Sequence, residues 1–280
     1  MPMSLRQILV HLDPTRASPR RLAAARRLAQ QLGAEVAALY AITPAFIELP
    51  FAPEIGPSLA ATLMELDDQR RDKVRQAFDE AMTLPGPLST WAQTDEVPTP
   101  AAFAQQAFYA DLMVLGQRDA SDEAAACVPP DFVESVLLES GRPALVIPHT
   151  GEIRTLGEQV AIAWKETPEA AHALQAALPL LRQAARVHVL AWTDHGPARL
   201  GGEALDLERY LRVHGLQATW HREGPEPADL GERLLSRVCD LGADLLVMGC
   251  YGHSRAREWM LGGASRTVLA SMTVPVLMAH

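Results

Sequence analysis

The residues of this chain best placed to do chemistry are glycines. Gly249-Cys250-Tyr251-Gly252 is followed, after nine intervening residues, by Gly262-Gly263-Ala264-Ser265, and the apolar run Leu245-Leu246-Val247-Met248 stands just before. The apolar run reads as a buried strand and residues 264 to 271 as a helix. A strand that ends in glycines and leads to a helix start brings backbone N–H groups close to an anion, and the helix dipole adds favourable potential. The chemistry suggested is nucleotide binding through phosphate. The same glycines also have a plainer use, in a tight strand-to-loop turn at Gly249 and Gly252 and in close packing at a helix start at Gly262 and Gly263.

Other candidates are weaker. His253 opens a basic segment, His253-Ser254-Arg255-Ala256-Arg257, that either meets phosphates or is a solvated loop. Cys250 with His253 would need two further metal ligands, and none stands nearby in sequence, so no metal site is expected. Cys127, Cys239 and Cys250 are too few and too scattered for a disulfide framework and read as reduced thiols. Trp164 and Trp192 each end a strand and either flank a nucleotide base or cover the edge of a core. The pairs Arg20-Arg21 and Arg26-Arg27 recur at helical spacing and read as a solvated helix face. There is no serine in a glycine elbow, no metal-binding histidine pair and no lysine after a phosphate loop, so no catalytic residue is expected. Slow hydrolysis of a bound nucleotide is the most that enzyme chemistry would amount to.

The elements that position these residues occur twice. Ala110-Asp111-Leu112-Met113-Val114-Leu115-Gly116 is echoed by Ala243-Asp244-Leu245-Leu246-Val247-Met248-Gly249, and Pro143-Ala144-Leu145-Val146-Ile147 by Pro275-Val276-Leu277-Met278. Each half opens on an apolar strand, Gln7 to Leu12 and Gln159 to Trp164. A duplicated module explains this, and strands alternating with helices favour a parallel sheet with crossover helices. Strands are expected near 6 to 12, 34 to 41, 88 to 93, 111 to 116 and 143 to 148, then near 158 to 164, 185 to 192, 216 to 222, 244 to 249 and 275 to 279. First-half helices are expected near 18 to 32, 58 to 82, 99 to 109 and 130 to 140. The segment 150 to 157, with glycines near both ends and no apolar period, divides domains 1–150 and 151–280. The halves differ most at the apolar, proline-rich insert Pro44 to Pro57, a lid, a partner surface or, preferably, a loop packed on its own domain.

Composition narrows the function classes. The chain has 280 residues, 48% of them apolar, and a net charge of −9. That is enough for two ordinary cores, and the negative charge argues against nucleic acid as a partner. No apolar run reaches the length of a membrane helix and Met1 to Arg6 lacks a secretory apolar stretch, so no membrane partner and a cytoplasmic location are expected.

With these residues in hand, the chain resembles a tandem universal stress protein, two modules of that family fused head to tail. Gly249, Gly252 and Gly262 match the family's glycine spacing, supported by Ala243 to Met248, Val274 to Met278 and Val160-Ala161-Ile162-Ala163-Trp164-Lys165-Glu166-Thr167. The resemblance implies an α/β fold of two open five-stranded parallel sheets, order 3-2-1-4-5, with helices on both faces, of the adenine nucleotide alpha hydrolase-like group. Nucleotide would lie over the carboxyl ends of strands 1 and 4, the usual switch point. It implies ATP or another adenine nucleotide, with or without Mg, held by the second module at Ala163, Trp164, Lys165, Gly249, Gly252, His253, Gly262, Gly263, Ala264 and Ser265.

The two modules depart from the family in opposite ways. The first has the expected aspartate, Asp13, but continues Gln117-Arg118-Asp119-Ala120 after Gly116 and has Pro130-Asp131 where the last glycines should fall. An acidic residue at that helix start repels phosphate, so the first module is expected to be a degenerate structural partner. The second has the glycines, but Lys165 replaces the aspartate and Gly263 the hydroxyl residue, with Ser265 two residues on. Lys165 would reach a phosphate or project into solvent beside Glu166. The resemblance further implies an intramolecular pseudo-dimer through the last strands, which would hide two exposed edges, and allows assembly into homo-oligomers. Two alternatives stand beside this stress-response reading: a nucleotide-independent interaction scaffold using the insert, and, ranked last, a nucleotide-transfer enzyme.

Overall fold

The computed structural model describes residues 5–48, 56–192, 205–250 and 263–280. Gly252, His253 and Gly262, with the centre of the Pro44 to Pro57 insert, lie outside the described residues. The chain divides into two compact units, Met1–Thr150 and Gly151–His280.

The first unit runs β1 (Gln7–Leu12), α1 (Ser18–Leu32), β2 (Glu35–Ala41), α2 (Ala45–Glu48), α3 (Pro57–Met82), β3 (Ser89–Thr94), α4 (Thr99–Ala107), β4 (Leu112–Gly116), a 3-10 turn (Glu123–Cys127), α5 (Phe132–Ser140) and β5 (Ala144–Ile147). The second runs β6 (Gln159–Trp164), α6 (Pro168–Leu181), β7 (Arg186–Trp192), α7 (Leu207–Val213), β8 (Thr219–Glu223), α8 (Leu230–Asp240), β9 (Leu245–Gly249), α9 (Ala264–Ser271) and β10 (Val276–Ala279). All pairings within each unit are parallel. They give the order β3-β2-β1-β4-β5 in the first and β8-β7-β6-β9-β10 in the second, the same 3-2-1-4-5 arrangement twice.

Sequence and layer agree. β4, β5 and β10 are almost wholly buried, as strands covered on both faces must be, whereas the outer strands β3 and β8 carry polar and half-exposed residues. In the first unit α1 packs with α3 and α4 with α5. Pro19 at the start of α1 and Gly33, in the left-handed region at φ 67° after its end, set that helix's limits. The repeated Ala-Asp pair has a physical reason. Asp111 Oδ2 accepts from the backbone N–H groups of Arg6 and Gln7 at 2.7 and 3.0 Å, and Asp244 accepts from those of Glu158 and Gln159 at 3.1 and 2.9 Å. Each carboxylate thus fixes the start of its unit's first strand beside its fourth.

Two expectations are corrected. The start of the insert is helical rather than loop: Asp67 Oδ2 on α3 accepts from Ala45 N–H at 2.9 Å, and Arg70 pairs with Glu48 at 2.7 Å. The arginines of α1 do not all lie on a solvated face: Arg27 is exposed and Arg20 half-buried, but Arg21 and Arg26 are buried. Their stems pack with the apolar residues and their heads find internal acceptors, Arg26 donating to Leu84 O at 2.7 Å beyond the end of α3. Among the described residues no helix is long and apolar enough to cross a membrane.

Candidate functional site

The carboxyl ends of the first and fourth strands, where the chain order reverses, form the crevice in which open α/β sheets receive ligands. In the first unit the space there is taken by the protein itself. Arg21 and Asp13 are each only 3% exposed. Arg21 Nη2 donates to Asp13 Oδ2 at 2.6 Å and Nε to His11 O at 2.6 Å. Asp13 also accepts from the N–H of Thr15 at 2.9 Å and from its hydroxyl. Burial opposes the charge on Asp13, yet the Arg21 guanidinium outweighs it and holds the carboxyl below the ordinary carboxylate range. Gly116, at the end of β4, lies so close to the same guanidinium that an added Cβ would overlap Nη1.

Beside this ion pair stand two groups that burial keeps uncharged, His11 and Cys127. His11 stacks on Phe132 at 4.3 Å and donates through Nε2 to Ala41 O at 2.8 Å. Burial, only partly offset by Asp13, lowers its pKa to about 4, so it is neutral at physiological pH. Burial also pushes the Cys127 thiol up to about 12, which leaves it unreactive. Arg118 donates to Val128 O at 2.8 Å and Ala125 O at 3.1 Å, tying the loop after β4 to the turn before α5. The remaining recess, lined by Asp13, Arg21, Gln117 and Pro130 among others, has about 40 Å³ of free space. That is room for about three waters.

The second unit is built differently. Its first loop is shorter, three residues (Lys165 to Thr167) instead of five (Asp13 to Ala17), so α6 begins against the end of β9. A Cβ at Gly249 would lie 2.5 Å from Ala170 N and 2.7 Å from Glu169 C, so backbone approach requires the glycine there. Thr167 caps α6 by accepting from Ala170 N–H at 3.4 Å. Lys165 is exposed, next to the exposed Glu166, and its Nζ pairs with Glu226 at 2.7 Å. Ala163 and Trp164 are half-buried at the end of β6. Cys250 is buried, its N–H donating to Ala279 O at 3.0 Å.

Helix α9 starts at Gly263, which as N-cap offers no side-chain acceptor, whereas α5 has the carboxylate of Asp131 at that place. Ala264 lies in the first turn of α9, and Ser265 beside it is buried. Of the residues singled out from sequence, Ala163, Trp164, Lys165, Gly249, Gly263, Ala264 and Ser265 are described and belong to elements at this end of the sheet. Sequence reasoning missed Glu169. Its Oε2, in the first turn of α6 against Gly249, is buried with no hydrogen-bond partner among the described residues. The signal was present in Thr167-Pro168-Glu169, a helix-start signature that follows the first strand directly. Among the described residues no group of three or more histidine, cysteine, aspartate or glutamate side chains is disposed to hold a metal.

No protein-family model matches the chain, and no curated protein matches it. Solved structures do. A universal stress protein from Archaeoglobus fulgidus DSM 4304 superposes with a TM-score of 0.70 at 18% identity, over 99% of this chain and 96% of its own. A putative universal stress protein from Pseudomonas aeruginosa UCBPP-PA14 does so with a TM-score of 0.60 at 16% identity, over 98% and 92%. At these identities the likeness is one of fold, and it spans both modules in both cases: the chain has the duplicated α/β fold of the universal stress protein structures from end to end.

Proposed function

We propose that the chain is a tandem universal stress protein whose second module binds an adenine nucleotide, the first serving as its structural partner. The observation that carries this reading is the contrast at the two equivalent helix starts. In the first module the anion position has a carboxylate at Asp131, and the neighbouring space is filled by the Arg21–Asp13 pair. In the second, β9 ends at Gly249 and α9 begins at Gly263, an N-cap that brings no carboxylate of its own, which suits a phosphate at the start of the helix. Gly252, His253 and Gly262 belong to this proposal on their spacing alone. Lys165, held by Glu226, would have to exchange that exposed partner for a phosphate, a small cost for a surface pair. Pairing of the two modules through their last strands belongs to the same proposal, its support being the family resemblance and the need to cover sheet edges.

The experiment is calorimetric and thermal-shift titration with ATP, ADP and AMP, since a ligand that binds only the folded state raises apparent stability. Gly262→Asp, which imports the charge of Asp131, should abolish the response. No response from the unmodified protein at millimolar nucleotide would favour the scaffold reading, to which the exposed Phe46, Ile47, Leu59 and Met64 on α2 and α3 lend support.

A further inference from the structure

The outer edge of the second module holds a side-chain cluster with no part in the proposed nucleotide site. His188 on β7 and His221 on β8 are diagonal neighbours, since His188 pairs with Thr219 and Leu190 with His221. Nδ1 of His188 lies 3.2 Å from Nε2 of His221, and Nη2 of Arg237 on α8 lies 3.4 Å from Nδ1 of His221. An arginine only donates, so Nδ1 of His221 is the acceptor and its proton sits on Nε2. That N–H donates to Nδ1 of His188, whose own proton is then on Nε2, a buried atom without a hydrogen-bond partner among the described residues.

Both ring lone pairs are thereby used. A proton added to His221 Nδ1 would face the Arg237 guanidinium, and one added to His188 Nδ1 would face the N–H of His221. Nearby charges do not relieve this. Arg186 on β7 adds positive potential, and burial, His221 and Arg186 together hold His188 below the ordinary histidine range. The nearby carboxylates are turned to Arg237: Glu223 Oε1 on β8 lies 3.1 Å from its Nε, an ion pair too bent for a hydrogen bond, and Asp240 on α8 lies 3.8 Å from Nη1. Arg222 points to the other face, over the Trp220 ring, and β6 presents Ala161 opposite His188.

We propose that His188, His221 and Arg237 form a proton-operated latch, which ties the β7–β8 edge to α8 while both imidazoles are neutral and releases it on acidification. The consequence reaches beyond the edge. Helix α8 crosses α9 at Gly231, where a Cβ would lie 2.6 Å from Thr267 Cβ, so a loosened α8 frees the helix that the glycine segment leads into. The sign follows from linkage. A histidine whose folded-state affinity for protons is lowered makes the unfolded or opened state the better proton acceptor, so stability is lost as pH falls through the ordinary histidine range.

Amide hydrogen exchange of β8 and α8 at about pH 7.5 and about pH 5, corrected for intrinsic rates, tests this beside nitrogen-detected NMR of the two imidazoles. The expected result is a several-fold loss of protection in β8 and α8 on acidification, absent in the His188→Phe/His221→Phe double variant, with both rings Nε2-protonated at the higher pH. Equal protection at both pH values, or the same loss in the double variant, would overturn the proposal. Should the double variant not fold, the imidazole signals of the unaltered protein decide: Nδ1-protonated His221, or a His188 that titrates no lower than free histidine, refutes it.

Discussion

Replacing Arg21 by alanine should unsettle the first module more than any surface substitution. The change removes the 2.6 Å bond to Asp13, the 2.6 Å bond to His11 O and a 3.3 Å contact with Ser18 Oγ, and leaves the Asp13 carboxylate buried with only the Thr15 donors. Stranding one member of a buried ion pair costs about 3–5 kcal/mol, against about 0–1 for an exposed pair. The pair is distinguishable from a purely packing role by its pH dependence. In the unaltered protein the Asp13 carboxyl is held low, so its contribution is complete above the ordinary carboxylate range and is lost as pH falls below it. Without Arg21 the burial of Asp13 is opposed only by His11 and the Thr15 donors, so its affinity for a proton rises and the folded variant gains a proton on mild acidification. Its deficit therefore shrinks between about pH 7.5 and about pH 5. Cys127, fully buried in the same unit, reports the opening: urea-dependent thiol labelling, resolved by mass spectrometry, follows the first module alone. Asp13→Asn with Arg21→Met should cost less than Arg21→Ala. A loss below about 1 kcal/mol, independent of pH, would refute the buried-pair reasoning.

Gly116→Ala should cost about 1–3 kcal/mol by driving its Cβ into the Arg21 guanidinium, and clearly less in an Arg21→Ala background, as a double-mutant cycle of labelling midpoints would read. Gly249→Ala meets backbone at Ala170 rather than a movable side chain, so about 3 kcal/mol or more is expected from the second module, followed by labelling of the buried Cys250. Thr167→Ala removes the α6 cap and should cost about 1 kcal/mol in the same assay, with Thr167→Ser near neutral. In the native protein, a thiol reagent should modify exposed Cys239 at once while Cys127 and Cys250 stay protected. Fast reaction of either buried thiol would contradict its placement.

The alternation of apolar runs and helical stretches, written twice, was sufficient by itself to determine two parallel sheets. Each run of four or five aliphatic residues can be satisfied only between two covering layers, and the repeated Ala-Asp pairs at Asp111 and Asp244 mark the same joint in each half. The nucleotide candidates were legible because glycine spacing is a backbone property carried in sequence order. What sequence could not carry is the occupant of the space beside those glycines. The spacing that made the α1 arginines look like a solvated face also directs Arg21 inward, and only its partner Asp13, eight residues earlier, and the strand end at Gly116, 95 residues later, decide which. Likewise a loop two residues shorter turns the same crossover into a helix that seals Gly249 with backbone and buries Oε2 of Glu169. His188 and His221 sit 33 residues apart in sequence and meet through strand register alone. Local pattern determined which elements form, because hydrogen bonding and burial are settled within each element. Packing between distant segments decided which charges are neutralised inside, because a buried charge is tolerated only where the whole fold supplies its partner.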